Sequence, residues 1–176
     1  MPIRNDNTAD CAFILERADF GALIEALSEA GFVVIAPVVR DGAVIYDVVT
    51  SDTDLPIGWT DDQEAGRYKL KRRDDETLFG YAVGPHSWKK YLHPPEQQLW
   101  RAKKTKNELD FKPTPPKVAK RAFLGVRACE ITAIEIQDRV FLGGPHIDEN
   151  YRTRRENTLI ALSIAATLRR RAFAIQ

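Results

Sequence analysis

Apolar residues at Phe20, Leu23, Ile24 and Leu27 recur at the spacing of one helical face. Asp19 ahead of them is a good N-cap, and Gly31, with Phe32 beside it, is a natural helix stop, so the pattern predicts a helix over about 19–30. Two β-type runs follow, Phe32–Val39 and Ala43–Val49, separated by Arg40-Asp41-Gly42. Asp-Gly suits a tight type I′ turn, which predicts an antiparallel hairpin. Pro37 lacks a donor and points to a sheet edge or a bulge.

Residues 50–66 are acidic and turn-rich and read as a loop. Tyr68 and Leu70 alternate with Arg67, Lys69 and Lys71, which predicts a half-buried strand, with Leu78–Val83 as its partner after a turn at Asp74-Asp75. Ser87 is placed to cap one short helix, and Pro95 to sit in the first turn of another. Residues 103–117 are rich in Lys and Pro and read as a linker. Beyond it, Ala122–Val126 reads as a strand and Glu130–Phe141 as a helix stopped by Gly143-Gly144-Pro145, with Glu130, Glu135 and Asp138 on its wet side. Thr158–Leu162 reads as a second strand, completing a βαβ unit. The fold class is therefore α/β in the mixed, α+β sense: an N-terminal helix plus antiparallel hairpins, then a C-terminal βαβ unit. The expected organisation is an α+β region over 1–102, a linker over 103–117, a βαβ unit over 118–166 and a basic tail over 167–176, with a loose polar start.

Composition changes this picture in two places. The net charge of +1 hides a split: residues 1–66 hold 13 acidic and 3 basic side chains, and residues 67–176 hold 12 acidic and 23 basic. Such asymmetry offers a basic surface to an anionic partner, or lets the two halves attract each other, or reflects solvated faces alone. Two cysteines, Cys11 and Cys129, make no disulfide framework and cannot supply the four thiolates of an iron–sulfur cubane. No apolar run nears the roughly 18 residues of a membrane span, and the polar start is no signal peptide, so the expected location is the cytoplasm.

Cys129 falls where strand should turn into helix, with Arg127 two residues away. Free amides and a positive helix end there favour a thiolate, fit for a metal ligand or a redox group. A small buried hydrophobe is the other reading of the same residue. His86, His93 and His146 stand apart without metal-ligand spacing. Glycine-rich phosphate loops and a nucleophile elbow are absent, so an independent small enzyme has no constellation behind it. Trp88, Tyr91 and Trp100 interleave with Lys89, Lys90, Arg101, Lys103 and Lys104, a pattern shared by single-strand nucleic-acid binders and by small domains with snorkelling lysines.

Phe123–Phe141, followed by Asp148, Tyr151 and Arg154-Arg155-Glu156-Asn157-Thr158-Leu159, resembles the region before the cluster-binding part of the 4Fe-4S dicluster-domain family. That family includes sulfhydrogenase and cytosolic nickel–iron hydrogenase β subunits and the A subunit of anaerobic sulfite reductase. The shared pattern is Gly-Val-Arg-x-Cys-acid, a helix ending Asp-Arg-x-Phe, then Asp-x-x-Tyr-x-x-Arg-Arg-Glu-x-Thr. Residues 80–100 also resemble the family.

The resemblance implies an N-terminal portion of an iron–sulfur electron-transfer subunit, with a docking or scaffold role beside other subunits of a redox complex. It implies Arg127, Cys129 and Glu130 near a cofactor, with Cys129 a cluster ligand only alongside partner ligands. The family's 4Fe-4S clusters lie in a ferredoxin-like domain whose cysteines are absent from Ser163–Gln176. A genuine basic helix would explain that tail; a truncation or reading-frame change is the preferred account and predicts cysteine-rich coding sequence downstream in another frame. The runner-up function is a stand-alone binding module for nucleic acid or another anionic ligand through residues 86–121.

Because a cubane takes four thiolates, the purified chain is expected to be colourless, with far less than four irons per chain. Iron assay and visible absorbance check this.

Overall fold

A computed structural model describes residues 15–162, leaving out 83, 85, 107, 115 and 117. A 3-10 turn leads into α1 (Phe20–Glu29), followed by β1 (Val33–Arg40) and β2 (Ala43–Val48). Next come β3 (Trp59–Glu64), β4 (Arg67–Arg72), the short α2 (Lys89–Leu92), β5 (Trp100–Lys104) and β6 (Leu109–Pro113). The described chain ends with β7 (Arg121–Val126), α3 (Ala128–Leu142), α4 (Glu149–Glu156) and β8 (Thr158–Leu162). The fold is mixed α/β. One four-stranded sheet has the order β2-β1-β7-β8, and β3-β4 and β5-β6 are separate two-stranded hairpins.

The expected first helix and hairpin are present. Asp19 stands at the N-cap of α1, although its side chain makes no capping bond. Phe32 N donates to Leu27 O just past Gly31. Asp41 and Gly42 both have positive φ, 48° and 73°, the backbone a type I′ turn requires.

β1 is an inner strand, not the edge that Pro37 suggested. Its parallel ladder with β7 runs only from Val33 to Ile35, while its antiparallel ladder with β2 runs on to Arg40. Val49 N donates to Val34 O, and the antiparallel alternation then turns the backbone groups of residue 37 away from β2. The missing proline N–H therefore falls where the ladder with β7 has already stopped, and no ladder bond is lost.

Both faces of this sheet are covered. Val34, Ala36, Val38 and Leu124 pack with Ile24 of α1, and Ile35, Tyr46, Phe123 and Val126 pack with Trp88, Leu92, Ile134 and Tyr151. Strands buried on two sides read as continuous apolar runs, as β1 and β7 do. Strict alternation would put Leu124 and Val126 on the same face. Gly125 prevents this: at φ 78° it forms a bulge, and the pairing with β8 steps from Leu124↔Ala161 to Val126↔Leu162.

Several expectations are corrected. Residues 59–64, read within a loop, are β3, and β3 rather than Leu78–Val83 partners β4. Residues 78–82 form turns and no strand. The reason is charge: acidic β3 lies against basic β4, with Asp62 opposite Lys69, Glu64 opposite Arg67, and Lys71 Nζ 2.5 Å from Asp62 Oδ2. Ser87 Oγ does accept from Lys89 N at 3.1 Å, but no helix begins at Pro95.

The Lys/Pro-rich segment 103–117 contains most of the β5–β6 hairpin, and the main sheet draws strands from both sides of it. Adjacent parallel strands β7 and β8 are joined through α3 and α4, the expected βαβ outline with one helix more than the pattern showed. Cys11 and the tail beyond residue 162 lie outside the described residues.

Gly42→Val puts a β-branched residue at positive φ in open space, and urea melts should show a loss of about 1 kcal/mol or more. Gly125→Ala meets the same backbone strain, and its Cβ would lie 2.6 Å from the Phe79 ring. Its loss should be the larger of the two.

Candidate functional site

The carboxyl end of β7 is where the bulge delivers the residues singled out by the motif. Arg127 is the N-cap of α3, and Cys129 lies in its first turn. Cys129 is exposed and free, so the reading of it as a buried hydrophobe does not hold. Its position at the helix start matches the expectation.

Glu130 was expected on the wet side of the helix and is buried instead, 8% exposed. Its two oxygens have separate tasks. Oε1 accepts a short hydrogen bond from the Tyr46 hydroxyl, and Oε2 accepts from Arg127 N at 3.0 Å. The second bond satisfies the N-cap amide and so closes the start of α3. Glu130, Ile134 and Asp138 follow at i, i+4, i+8, so one stripe of α3 faces inward and carries carboxylates at both ends. Asp138, also expected to be wet, accepts from Tyr151 Oη at 2.6 Å and from Arg155 Nε at 3.0 Å, which fastens α3 to α4. Glu135 is exposed as expected, and so are the apolar Ile136 and Val140 of the same helix.

Around Glu130 lies an aromatic layer. Trp88 stacks on Tyr46 at 4.0 Å between ring centroids and lies 4.4 Å from Phe123. The Arg127 guanidinium lies over the Tyr81 ring, 5.3 Å from its centroid. The Tyr81 hydroxyl, the Trp88 indole N–H and Arg127 Nη2 are buried without a hydrogen-bond partner among the described residues. Trp88 is thus a core residue, and the interleaved aromatic–cation string divides: Trp88 goes inside, while Trp100 is 61% exposed.

Burial raises the pKa of Tyr46, and its bond to the Glu130 carboxylate adds to the shift. Burial likewise raises Tyr81 and Tyr151, the latter aided by Asp138, and moves Tyr91 from 10.0 to about 12.

The outer edge of β2 is closed by the same region. Lys90 Nζ and Tyr91 Oη both donate to Tyr46 O at 2.8 Å, and Val44 N donates to Tyr68 Oη. An open sheet edge is thereby covered by side chains.

The histidines are not brought together: His86 and His146 are exposed, and His93 stacks on Phe141 at 4.8 Å. Among the described residues no group of three or more His, Cys, Asp or Glu side chains could hold a metal ion, and no helix is long and apolar enough to cross a membrane. Cys129 is the one described cysteine, and a cubane needs four thiolates, so the residues present do not fit a cluster by themselves. Compared with protein-family models, curated proteins and solved structures, the chain has no match. The family resemblance rests on the motif residues alone.

Sequence reasoning missed Tyr46, Tyr81 and Trp88 as neighbours of Glu130, since only tertiary structure joins positions so far apart. The i, i+4, i+8 spacing of Glu130, Ile134 and Asp138 was the available signal that these carboxylates share the apolar face.

Tyr46→Phe removes the hydroxyl from Glu130 and leaves a buried carboxylate oxygen unpaired. The expected cost is roughly 1–3 kcal/mol, read from urea melts. Alkaline pH should act on the same cluster. The unfolded chain releases tyrosine protons near pH 10, while the folded protein holds them, so the stability is complete below about pH 10 and declines above it. For Tyr91 the loss spans pH 10 to about 12, and melts paired with phenolate absorbance follow it.

Proposed function

We propose that this chain is the docking and scaffolding portion of an iron–sulfur electron-transfer subunit in a hydrogenase- or sulfite-reductase-type complex. The motif supplies the redox context, and no electron-transfer step is assigned to the chain's own residues. The observation that carries the docking role is the β5–β6 hairpin. All ten of its strand residues are exposed.

The register places Trp100 opposite Pro113, Ala102 opposite Phe111 and Lys104 opposite Leu109. Alternation puts these pairs on one face, and Arg101, Lys112, Lys103 and Asp110 on the other. Trp100 and Phe111 are 61% and 62% exposed, an apolar stripe of the kind that marks an interaction site. Arg101, Lys103 and Lys104 make no ion pair among the described residues, so the hairpin presents unpaired positive charge to an acidic protein surface.

Those same cations and aromatics favour the second reading, a module for single-stranded nucleic acid. The face assignment weighs against it. Stacked bases and their phosphates would need aromatics and cations side by side, whereas the hairpin sets most of its cations behind its aromatics.

The test is purification of the tagged full chain from its native source, beside Phe111→Glu. Recovery with a cysteine-rich, iron-containing subunit, lost in the variant and at raised salt, is the expected result. Recovery alone, or with nucleic acid, overturns the proposal.

A further inference from the structure

A cavity of about 410 Å³ lies between the base of the β5–β6 hairpin and α4, with Arg154 and Arg101 on its wall. We propose that this cavity binds a small oxyanion, the phosphate or carboxylate group of a soluble ligand, through Arg154 and Arg101. The inference does not depend on the redox reading.

Arg154 is 9% exposed, and it lies on the inward side of α4 beside the fully buried Tyr151 layer. Its Nη2 donates to the neutral Gln97 Oε1 at 3.0 Å. No carboxylate among the described residues pairs with it; the neighbouring Arg155 takes Asp138 instead. A buried guanidinium is costly without a counter-charge, which is why buried charges in proteins are almost always paired.

The surroundings make the deficit larger. Arg121 of β7 is close enough for Arg154's positive charge to act on it, and its own Nη1 donates only to the backbone Tyr91 O, at 2.9 Å. Burial first, and then the charge of Arg154, lowers the pKa of Arg121. Arg101, exposed and without an ion pair among the described residues, completes the cationic wall from β5.

Gln98 and Asn150 add neutral polar groups to the wall. Among the described residues Glu96 is the one carboxylate on the wall, exposed and without a partner, so the anion belongs on the Arg154 side. The free N–H groups of a planar guanidinium match the oxygen spacing of phosphate and carboxylate. The volume lies within the range of small-molecule sites and leaves room for the organic part of such a ligand.

The test uses the full chain with inorganic phosphate and with succinate, in calorimetry and thermal melts, against potassium chloride at matched ionic strength. The expected result is a saturable rise in Tm beyond that with chloride. A response to phosphate alone, or to succinate alone, identifies which oxyanion the site takes.

Arg101→Gln should weaken the response about tenfold or more, and Arg154→Met should abolish it. In anion-free buffer Arg154→Met should melt no lower than the parent, because it removes an uncompensated buried charge. Lys69→Gln, on the remote β3–β4 hairpin, should respond as the parent does. If Arg154→Met fails to fold, Arg101→Gln, at an exposed position, decides. No saturable response to either anion overturns the proposal. So does a response that persists undiminished in both arginine variants, which is an adventitious ion only.

Discussion

The bulge at Gly125 is the constraint on which the arrangement depends. β7 has to bury side chains on both faces of the central sheet and then deliver the start of α3 to the second face. A regular strand would return Val126 to the α1 side with Leu124. The positive φ of Gly125 breaks the alternation, so Val126 joins the Trp88 layer and Arg127 leaves the sheet above Tyr81. The Phe79 ring fills the space that a side chain at 125 would occupy.

Once α3 starts there, its polar stripe decides how the second layer is held. Burying Glu130 and Asp138 would be unfavourable in an apolar interior, yet each carboxylate finds two donors. Tyr46 ties α3 to β2, and Tyr151 with Arg155 ties α3 to α4. These bonds have direction, unlike the surrounding apolar contacts, and they fix the rotation of a helix whose opposite side leaves Ile136 and Val140 in solvent. Of the motif residues, Glu130 and Asp138 serve as structural fasteners. Cys129 is exposed beside them.

The charge asymmetry of the two halves has a local use and a remote one. Acidic β3 and basic β4 consume part of it within one hairpin, through Lys71–Asp62 and the facing Glu64 and Arg67. The remainder accumulates around β5, β6 and α4, where Arg101, Lys103, Lys104 and Arg154 lack carboxylate partners among the described residues. Both proposals, an acidic surface on the hairpin and a small oxyanion at its base, rest on this positive charge.

The sequence by itself determined the local elements. α1, the Asp41-Gly42 hairpin, β7, α3 and β8 were legible because short-range periodicity and turn chemistry specify them. The spacing of Cys129 from the β7 run also placed it at a helix start. Tertiary structure decided the pairings that hydrophobic patterning does not mark, whether the partners lie near or far along the chain. Residues 59–64 looked like a loop because their polar composition hid a strand that only the basic residues 67–72 could complete. Residues 103–117 looked like a linker because an exposed hairpin needs no apolar core face. Glu130 looked solvated because its partner, Tyr46, is 84 residues away. Hydrophobic patterning reports which positions avoid water, and a buried helix carboxylate satisfied by a tyrosine from a distant strand leaves no trace in that pattern.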